Sequence, residues 1–354
     1  MRRFLIGALL AGGLLSSCAS GTGANPARAA TPSPPPFPPT PLPSATVVPG
    51  IVILSSGGVS TSGVQLAQQA IQVLAASRGW RLMPVSAAPE TLRAAIEQKP
   101  VLIVSLASGL GELLAQSAQA NPSLRFVAVE EPQARPEKNL LVIGASARED
   151  EEAFLAGALA GIDNSNRRVG WIGELDSLRG KIYGNGFLHG VRYTCPRCLV
   201  YPYELPSGSS AQAGLAASDS LRADYVDTAS AVPGPAGDRA LLELSAGLVR
   251  VSSPDPDLWA RVFGQGQGQG ASNVLGWARA RPDLLLAKAL PDFLEGTLAG
   301  TALPYSLEDG GLDLAASPNP WISPGLQANL AEMLARLRSG ELDIGVNPET
   351  GDPE

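Results

Sequence analysis

Nine polar or aromatic side chains stand where they could hold a small polar ligand. Most of them follow short apolar runs that have the composition of buried strands. In open sheets of alternating strands and helices, ligands bind just beyond the carboxyl ends of the strands. Carboxylates and hydroxyls there accept hydrogen bonds, and an indole ring can stack on a flat group. The candidate ligand-binding residues are Ser55, Ser56, Ser60, Ser108, Glu130, Glu174, Asp176, Asp227 and Trp277.

Each candidate also has a purely structural alternative. Ser55 and Ser56 are equally typical of residues that cap the start of a helix. Glu130 and Asp176 are equally typical of solvated carboxylates in loops. Catalysis is not expected, because the one histidine, His189, falls within a predicted helix and no nucleophile motif such as G-x-S-x-G is present.

The elements that must position these residues alternate along the chain. Apolar strands alternate with helical segments, which predicts parallel βαβ units with helices on both faces of a sheet. The strands are continuously apolar, and this agrees with burial on both sides. The fold class predicted is therefore α/β, and about 300 residues suit two lobes better than one. The clearest predicted strands are 51–54, 101–106, 125–129, 140–144, 168–173, 247–252 and 273–277.

The N-terminus has the features of a bacterial lipoprotein signal. Arg2 and Arg3 precede an apolar segment of about a dozen residues, which is too short to span a bilayer as a mature helix. The segment ends in L-S-S-C at Cys18, which matches the lipobox. We expect a signal peptide over 1–18 and a lipid on Cys18 that anchors the chain to the cell membrane, facing outside the cytoplasm. An ordinary secretory signal is the alternative.

Residues 19–50 carry ten prolines and cannot form a core. They predict an extended tether that could reach roughly 90 Å at about 3.1 Å per residue. A proline-rich ligand for another domain is the alternative.

Composition argues against nucleic acid as a partner and against a nucleotide-binding loop. The net charge is −7, and lysine and arginine do not cluster, so nucleic acid is not expected as a partner. The Gly/Gln run over 264–270 lacks the Gly-Lys-Ser/Thr ending of a phosphate loop. No cofactor and no metal are therefore expected.

The motif Cys195-Pro196-Arg197-Cys198 has three interpretations. A local disulfide is favoured, because the compartment outside the membrane is oxidising. A redox motif should open a helix after a strand, whereas this motif follows a predicted helix. Zinc would find at most three ligands here with His189, and a structural zinc site has four.

Three motifs occur in a fixed order between Glu151 and Tyr193: FLAGALAG over 154–161, the strand VGWIG over 169–173, and GFLHG over 186–190. Together they resemble the basic-membrane-protein family, the PnrA-like purine-nucleoside-binding lipoproteins of bacterial ABC importers. The resemblance extends over roughly 51–346.

This resemblance implies the type I periplasmic binding protein fold, with two Rossmann-like lobes hinged around a central cleft. Lobe 1 is expected over 51–146 and lobe 2 over 147–251. Residues 252–354 are expected to return and complete both lobes, ending in a C-terminal helix.

The sequence departs from the family at the ligand. After the first strand the family has an Asp-x-Ser/Gly-Phe-Asn loop, where this chain has GGVSTS over 57–62. The family's late aspartate is replaced by Ser252, and its lysine has no clear counterpart. The strand that ends beside the ligand in the family matches 223–227, which predicts Asp227 at the cleft and a loop over 228–237.

The resemblance implies an extracytoplasmic lipoprotein that captures a nucleoside or another small polar solute for an ABC permease, as a monomer. The missing stacking and carboxylate residues favour an alternative, a degenerate binding fold that serves as a sensor or assembly module without a small ligand.

Overall fold

The computed structural model describes residues 49–354 except 57–60, 163, 175, 256, 259–270 and 318–321. The signal segment, Cys18, the proline-rich tether up to residue 48, Ser60 and the Gly/Gln run lie outside the described residues. Within the described part, no helix is both long and apolar enough to cross a membrane.

Twelve strands and nine helices are named along the described chain, beginning at Gly50. The strands are β1 Gly50–Ser55, β2 Arg81–Ser86, β3 Leu102–Leu106, β4 Phe126–Val129, β5 Leu140–Ala147, β6 Arg168–Gly173, β7 Leu199–Glu204, β8 Thr228–Ala231, β9 Arg250–Ser253, β10 Val274–Ala280, β11 Ala302–Tyr305 and β12 Leu312–Ala316. The helices are α1 Ser62–Arg78, α2 Pro89–Glu97, α3 Gly111–Ala120, α4 Glu149–Ile162, α5 Leu178–Thr194, α6 Ala211–Ala223, α7 Pro235–Ala246, α8 Pro282–Glu295 and α9 Pro324–Arg338.

Two six-stranded sheets organise these elements. The first has the order β11-β5-β4-β3-β1-β2 and the second the order β12-β10-β9-β8-β6-β7. The paired strands are parallel, apart from the antiparallel pair of β10 and β12. We call the first sheet with its covering helices lobe 1 and the second lobe 2. The predicted α/β class with two mainly parallel sheets is confirmed.

Helices cover both faces of each sheet. In lobe 1, α1 and α8 pack on one face, and α2 and α3 pack on the other. In lobe 2, α6 and α7 cover one face, while α4, α5 and α9 cover the other. Burial on both faces explains why β3 is apolar along its whole length apart from Ser105.

The glycines of the sequence motifs bring α4 and α5 into close contact. A Cβ on Gly157 of α4 would overlap the carbonyl oxygen of Phe187, and a Cβ on Gly190 of α5 would overlap that of Phe154. The two helices therefore pack backbone against backbone at these points. This reciprocal contact is the physical reason for the spacing of the FLAG and GFLHG motifs.

The strand predicted over 223–227 is wrong. Ala223 ends α6, and the strand is β8, Thr228–Ala231, where a loop was expected. The strand has little apolar signal because it is buried beside α4, where the hydroxyl of Thr228 donates a 2.8 Å hydrogen bond to the carbonyl of Ala160. In the neighbouring strand β9, buried Ser252 donates to the carbonyl of Ala156 at 2.8 Å.

The described chain passes between the lobes three times. It leaves lobe 1 at Arg148, returns to it at Arg281 before α8, and leaves it again after β11. The backbone N–H of Arg148 donates to the carbonyl of Tyr305 at 2.9 Å, and that of Arg281 donates to Gly311 at 2.8 Å. These crossings lie side by side and form the connection on which the lobes could rotate.

Candidate functional site

The carboxylate of Glu130 lies at the carboxyl edge of the sheet in lobe 1, where hydrogen bonds fix its position. Glu130 directly follows β4, and Tyr305 ends β11. Oε2 of Glu130 accepts a 2.6 Å hydrogen bond from the hydroxyl of Thr61, and Oε1 accepts one of 2.9 Å from the hydroxyl of Tyr305. Thr61 also caps α1, because its hydroxyl oxygen accepts a 3.1 Å hydrogen bond from the N–H of Val64. Two separate segments of the chain thus donate hydrogen bonds to one carboxyl group.

The backbone at Glu130 has an uncommon, left-handed conformation. Its φ of 54° lies in the left-handed region, which a residue with a side chain adopts at a cost. Gly63 makes room for the side chain, because a Cβ on this glycine would overlap Oε1 of Glu130. Strained backbone of this kind is concentrated at functional sites, which singles out Glu130 among the candidates.

Several interactions shift the pKa of the Glu130 carboxyl in opposite directions. Burial raises the pKa of its carboxyl, the hydrogen bonds from Thr61 and Tyr305 lower it, and the nearby charge of Asp257 raises it again, with a net upward shift. Burial and the same carboxylate raise the pKa of Tyr305 well above its ordinary value. The phenol of Tyr305 therefore remains a hydrogen-bond donor at any physiological pH.

Lobe 2 reaches this site through Asp257. Its Oδ1 accepts a 2.9 Å hydrogen bond from the backbone N–H of Ser62 and one of 2.8 Å from the hydroxyl of Ser62. Ser62 is the first residue of α1 in lobe 1, and Asp257 follows β9 of lobe 2. The two lobes are therefore joined at the carboxyl edges of their sheets, beside Glu130.

Glu174 and Asp176 lie at the carboxyl edge of lobe 2, where they bind a neighbouring turn. Asp176 accepts hydrogen bonds from the N–H of Ser207 at 3.1 Å and from its hydroxyl at 2.7 Å. Oε1 of Glu174 accepts one from the N–H of Gly208 at 3.1 Å. The hydrogen bonds from Ser207 lower the pKa of the exposed Asp176 carboxyl. Both side chains hold the turn between β7 and α6.

Three of the four candidate serines, Ser55, Ser56 and Ser108, lie at the carboxyl edge of lobe 1, and Ser60 lies outside the described residues. Ser55 ends β1 and is half-buried, while Ser56 and Ser108 are exposed. The alternative role of Ser55 and Ser56 as caps of α1 is taken by Thr61.

The turn that carries Ser108 is held by buried Glu131. This carboxylate accepts hydrogen bonds from the N–H of Gly109 at 2.9 Å and from that of Leu110 at 3.2 Å. Ser108 is thus presented at the edge by a supported loop.

Trp277 and Asp227 differ in their placement. Trp277 pairs in register with Ser253, the last residue of β9, and its half-buried ring packs against the core of lobe 2. Asp227 precedes β8 and therefore lies at the amino edge of that sheet, opposite Glu174. There it accepts a 2.6 Å hydrogen bond from the side-chain amide of Asn166. The structure does not bring Asp227 together with the other candidates.

Among the residues that the structure describes, sequence reasoning missed four that lie at this cleft: Thr61, Ser62, Asp257 and Tyr305. Asp257 had a visible signal, since Asp255 and Asp257 lie in the short polar segment that follows a predicted strand. Thr61 and Ser62 had a weaker one, as part of the polar loop after the first strand. Tyr305 had none, because the short edge strand that it ends was not predicted.

Metal chemistry finds no support in the described residues, which contain no group of three or more His, Cys, Asp or Glu side chains that could hold an ion. Cys195 and Cys198 form a disulfide, so neither sulfur is available as a thiolate ligand. Nδ1 of His189 lies 2.8 Å from the carbonyl oxygen of Ile344. Its ring therefore serves to hold the segment after α9.

A family model described as "ABC transporter substrate-binding protein PnrA-like" matches residues 61–243. No curated protein matches the chain.

Several solved structures share the fold at low identity. An ABC transporter solute-binding protein from Conexibacter woesei is 18% identical, with a TM-score of 0.63 over 84% of this chain and 98% of that one. A transcriptional activator of the comK gene from Bacillus halodurans is 13% identical, with a TM-score of 0.60 over 83% and 99%. An ABC transporter solute-binding protein from Aeropyrum pernix is 17% identical, with a TM-score of 0.53 over 84% and 92%.

Proposed function

The chain belongs to the family of PnrA-like ABC transporter substrate-binding proteins, and on this premise we propose that it captures a nucleoside or another small polar solute between its two lobes. The solute would then pass to an ABC permease. The single observation that carries the proposal is the convergence of Glu130 from lobe 1 and Asp257 from lobe 2 on one cleft edge.

Two carboxylates facing one cleft suit a solute rich in hydroxyl or amide groups. A carboxylate offers about four acceptor positions. Glu130 uses one of them for Thr61 and one for Tyr305, so further positions can accept from sugar hydroxyls or a base edge. Ser55, Ser56, Ser60 and Ser108 would add hydroxyls from lobe 1. Trp277 would supply an aromatic surface, and Glu174 and Asp176 would line lobe 2.

The proposal includes the placement of the protein. Residues 1–18 would act as the lipoprotein signal, Cys18 would carry the lipid, and 19–50 would form the tether that holds a monomeric binding protein outside the cytoplasm. A Cys18→Ser variant should lose incorporation of labelled fatty acid and move from the membrane fraction to the soluble fraction. Retention of the label by this variant would contradict the anchoring.

The binding proposal is tested by a thermal-shift screen of the purified full-length protein against nucleosides, bases, sugars and amino acids. A solute at a hundred times its dissociation constant stabilises the folded state by about 2.7 kcal/mol, which raises the melting temperature by several degrees. Glu130→Gln should reduce the shift for any hit, while the matched control Glu112→Gln, on the exposed face of α3, should keep it. A panel without any hit would count against the proposal.

A second candidate is a binding fold that works as a sensor or assembly module without a small ligand. It is favoured by the internal partners of the cleft groups: Asp257 bonds Ser62, and both Glu174 and Asp176 bond the turn after β7. Native mass spectrometry of protein purified from its own host should then show the bare chain. A bound small molecule in that spectrum would contradict this candidate.

A further inference from the structure

The contact between Asp257 and Ser62 crosses from one lobe to the other at the mouth of the cleft. Asp257 lies in a short turn of lobe 2. Its carboxylate accepts hydrogen bonds from the backbone N–H and from the hydroxyl of Ser62, the first residue of α1 in lobe 1. Both distances, 2.9 Å and 2.8 Å, are those of good hydrogen bonds. Any opening of the cleft must break them.

Helix geometry strengthens this contact. The first N–H groups of a helix have no partner within the helix, and the helix dipole makes this end positive. Thr61 satisfies the N–H of Val64 through its side chain, and Asp257 satisfies the N–H of Ser62. A charged acceptor at this end is therefore favoured twice, by hydrogen bonding and by the dipole.

The turn that presents Asp257 is organised in advance. The N–H of Asp255 donates to the hydroxyl of Ser253 at 3.0 Å, and the N–H of Asp257 donates to Oδ1 of Asp255 at 2.7 Å. Pro254 directly precedes Asp255, and its fixed φ restricts the turn further. Little conformational entropy is lost when Asp257 meets Ser62, because the turn is already ordered.

A repulsion works against the same contact. Glu130 lies close enough for the charge of Asp257 to raise the pKa of its carboxyl. The junction therefore combines one attraction between the lobes with one like-charge penalty. The like-charge penalty lowers the net stability of the junction, so separating the lobes there costs less free energy than the two hydrogen bonds alone would require.

From these contacts we propose that Asp257 is an intramolecular latch, which holds the two lobes together at Ser62 independently of any solute. The latch acts on the hinge formed by the three crossings of the chain. Its removal shifts the equilibrium between closed and open lobes toward the open arrangement. This inference goes beyond solute capture, because it requires no ligand and holds equally for a ligand-free module.

The test measures the distance between the lobes in the full-length protein without added solute. Spin labels are carried by non-natural amino acids at Glu112 and Gln212, which are exposed and lie in the first turns of α3 and α6 at the two cleft edges. Pulsed electron resonance then gives the distribution of their separation. The variants are Asp257→Ala, Asp257→Asn and Ser62→Ala, with Asp219→Asn as a control that removes one exposed charge of lobe 2.

We expect Asp257→Ala to raise the ratio of open to closed lobes about three- to tenfold, the range for loss of a charged group at a helix start. Asp257→Asn keeps an acceptor without the charge, and Ser62→Ala keeps the N–H without the hydroxyl, so both should give smaller shifts. Asp219→Asn should give none. Circular dichroism confirms that each variant is folded.

The latch is overturned if folded Asp257→Ala and Ser62→Ala both keep the wild-type distribution, or if Asp219→Asn shifts it equally. Neither result depends on a solute. The thermal-shift screen can therefore fail while the latch holds, and the latch can fail while a solute is found.

Discussion

The hydroxyl of Tyr305 donates a 2.9 Å hydrogen bond to Oε1 of Glu130, although the two residues lie far apart in the sequence. Glu130 follows β4, a strand inside the first sheet. Tyr305 belongs to β11, which is the last strand along the chain to join this sheet and lies at its edge. Gly144 makes this approach possible, because a Cβ there would overlap the Tyr305 ring. The cleft carboxylate is therefore held by a segment that also joins the two lobes.

Tyr305→Phe should destabilise the folded protein by about 1–2 kcal/mol, because the buried carboxyl of Glu130 loses one donor. The urea midpoint measures this change. Tyr225→Phe is the matched control, since the Tyr225 side chain is exposed, and it should leave the midpoint unchanged. Equal midpoints for Tyr305→Phe and wild type would mean that the hydrogen bond contributes nothing to stability.

Stability should decrease as the pH rises from about 4.5 to 8. Burial raises the pKa of Glu152 to about 8 from its ordinary 4.5, and that of Glu151 to about 7. A raised folded-state pKa means that the folded protein binds the proton more tightly than the unfolded chain does. Proton binding therefore stabilises the folded state fully below pH 4.5, and this stabilisation is lost progressively as the pH rises to the folded-state pKa. Each carboxyl contributes at most about 1.4 kcal/mol per pH unit.

Glu152→Gln tests this dependence, because glutamine imitates the protonated acid and keeps an oxygen for the hydroxyl of Tyr183, which donates to Glu152 at 2.7 Å. Urea unfolding at pH 5.5 and 7.5 should show a loss of stability about 1–2 kcal/mol smaller in Glu152→Gln than in wild type. The exposed control Glu112→Gln should behave as wild type. An unchanged loss in Glu152→Gln would place the titration elsewhere.

Asp313→Ala should destabilise the protein by about 1–3 kcal/mol, since it removes the shared partner of three arginines. Asp313 binds Arg279 at 2.8 Å, Arg281 at 3.3 Å and Arg338 at 3.0 Å, beside the crossings of the chain. Asp219→Ala, which removes one exposed pair, should cost no more than about 1 kcal/mol. Comparable losses in the two variants, measured by urea unfolding, would contradict a special role for the cluster.

The disulfide between Cys195 and Cys198 should stabilise the protein modestly. It closes a very short loop, for which loop entropy predicts about 2 kcal/mol. Replacing both cysteines by serine should lower the urea midpoint as much as a reductant lowers that of wild type. A larger loss in the double variant than in reduced wild type would show that packing, rather than the cross-link, is responsible.

The parts of the fold that could be predicted are those with a local signal. The close contact of α4 and α5 requires glycine at Gly157 and Gly190, so it leaves a spaced motif in the sequence. Glu130 could be placed because it follows an apolar strand directly. Strand β8 could not, because Thr228 satisfies its hydroxyl on the helix above it, which allows polar residues in a buried strand. Because β8 was placed too early in the sequence, Asp227 was expected at the carboxyl edge of the sheet, whereas it lies at the amino edge.

The remaining site depends on contacts that no local pattern encodes. Asp257 and Ser62 meet only because the lobes are folded against one another, and Tyr305 reaches Glu130 only through an edge strand from the far end of the chain. Such pairs are set by the global arrangement of the sheets, whereas periodicity reports only on neighbours in sequence.

The return of β11 to the first sheet also imposes an order on folding. Ala302 pairs with Val142, so lobe 1 keeps an uncovered edge at β5 until the segment after α8 has folded back onto it. An uncovered strand edge can pair with another chain. The folding protein is therefore exposed to aggregation at β5 until β11 docks, and a helper that shields strand β5 would act in that interval.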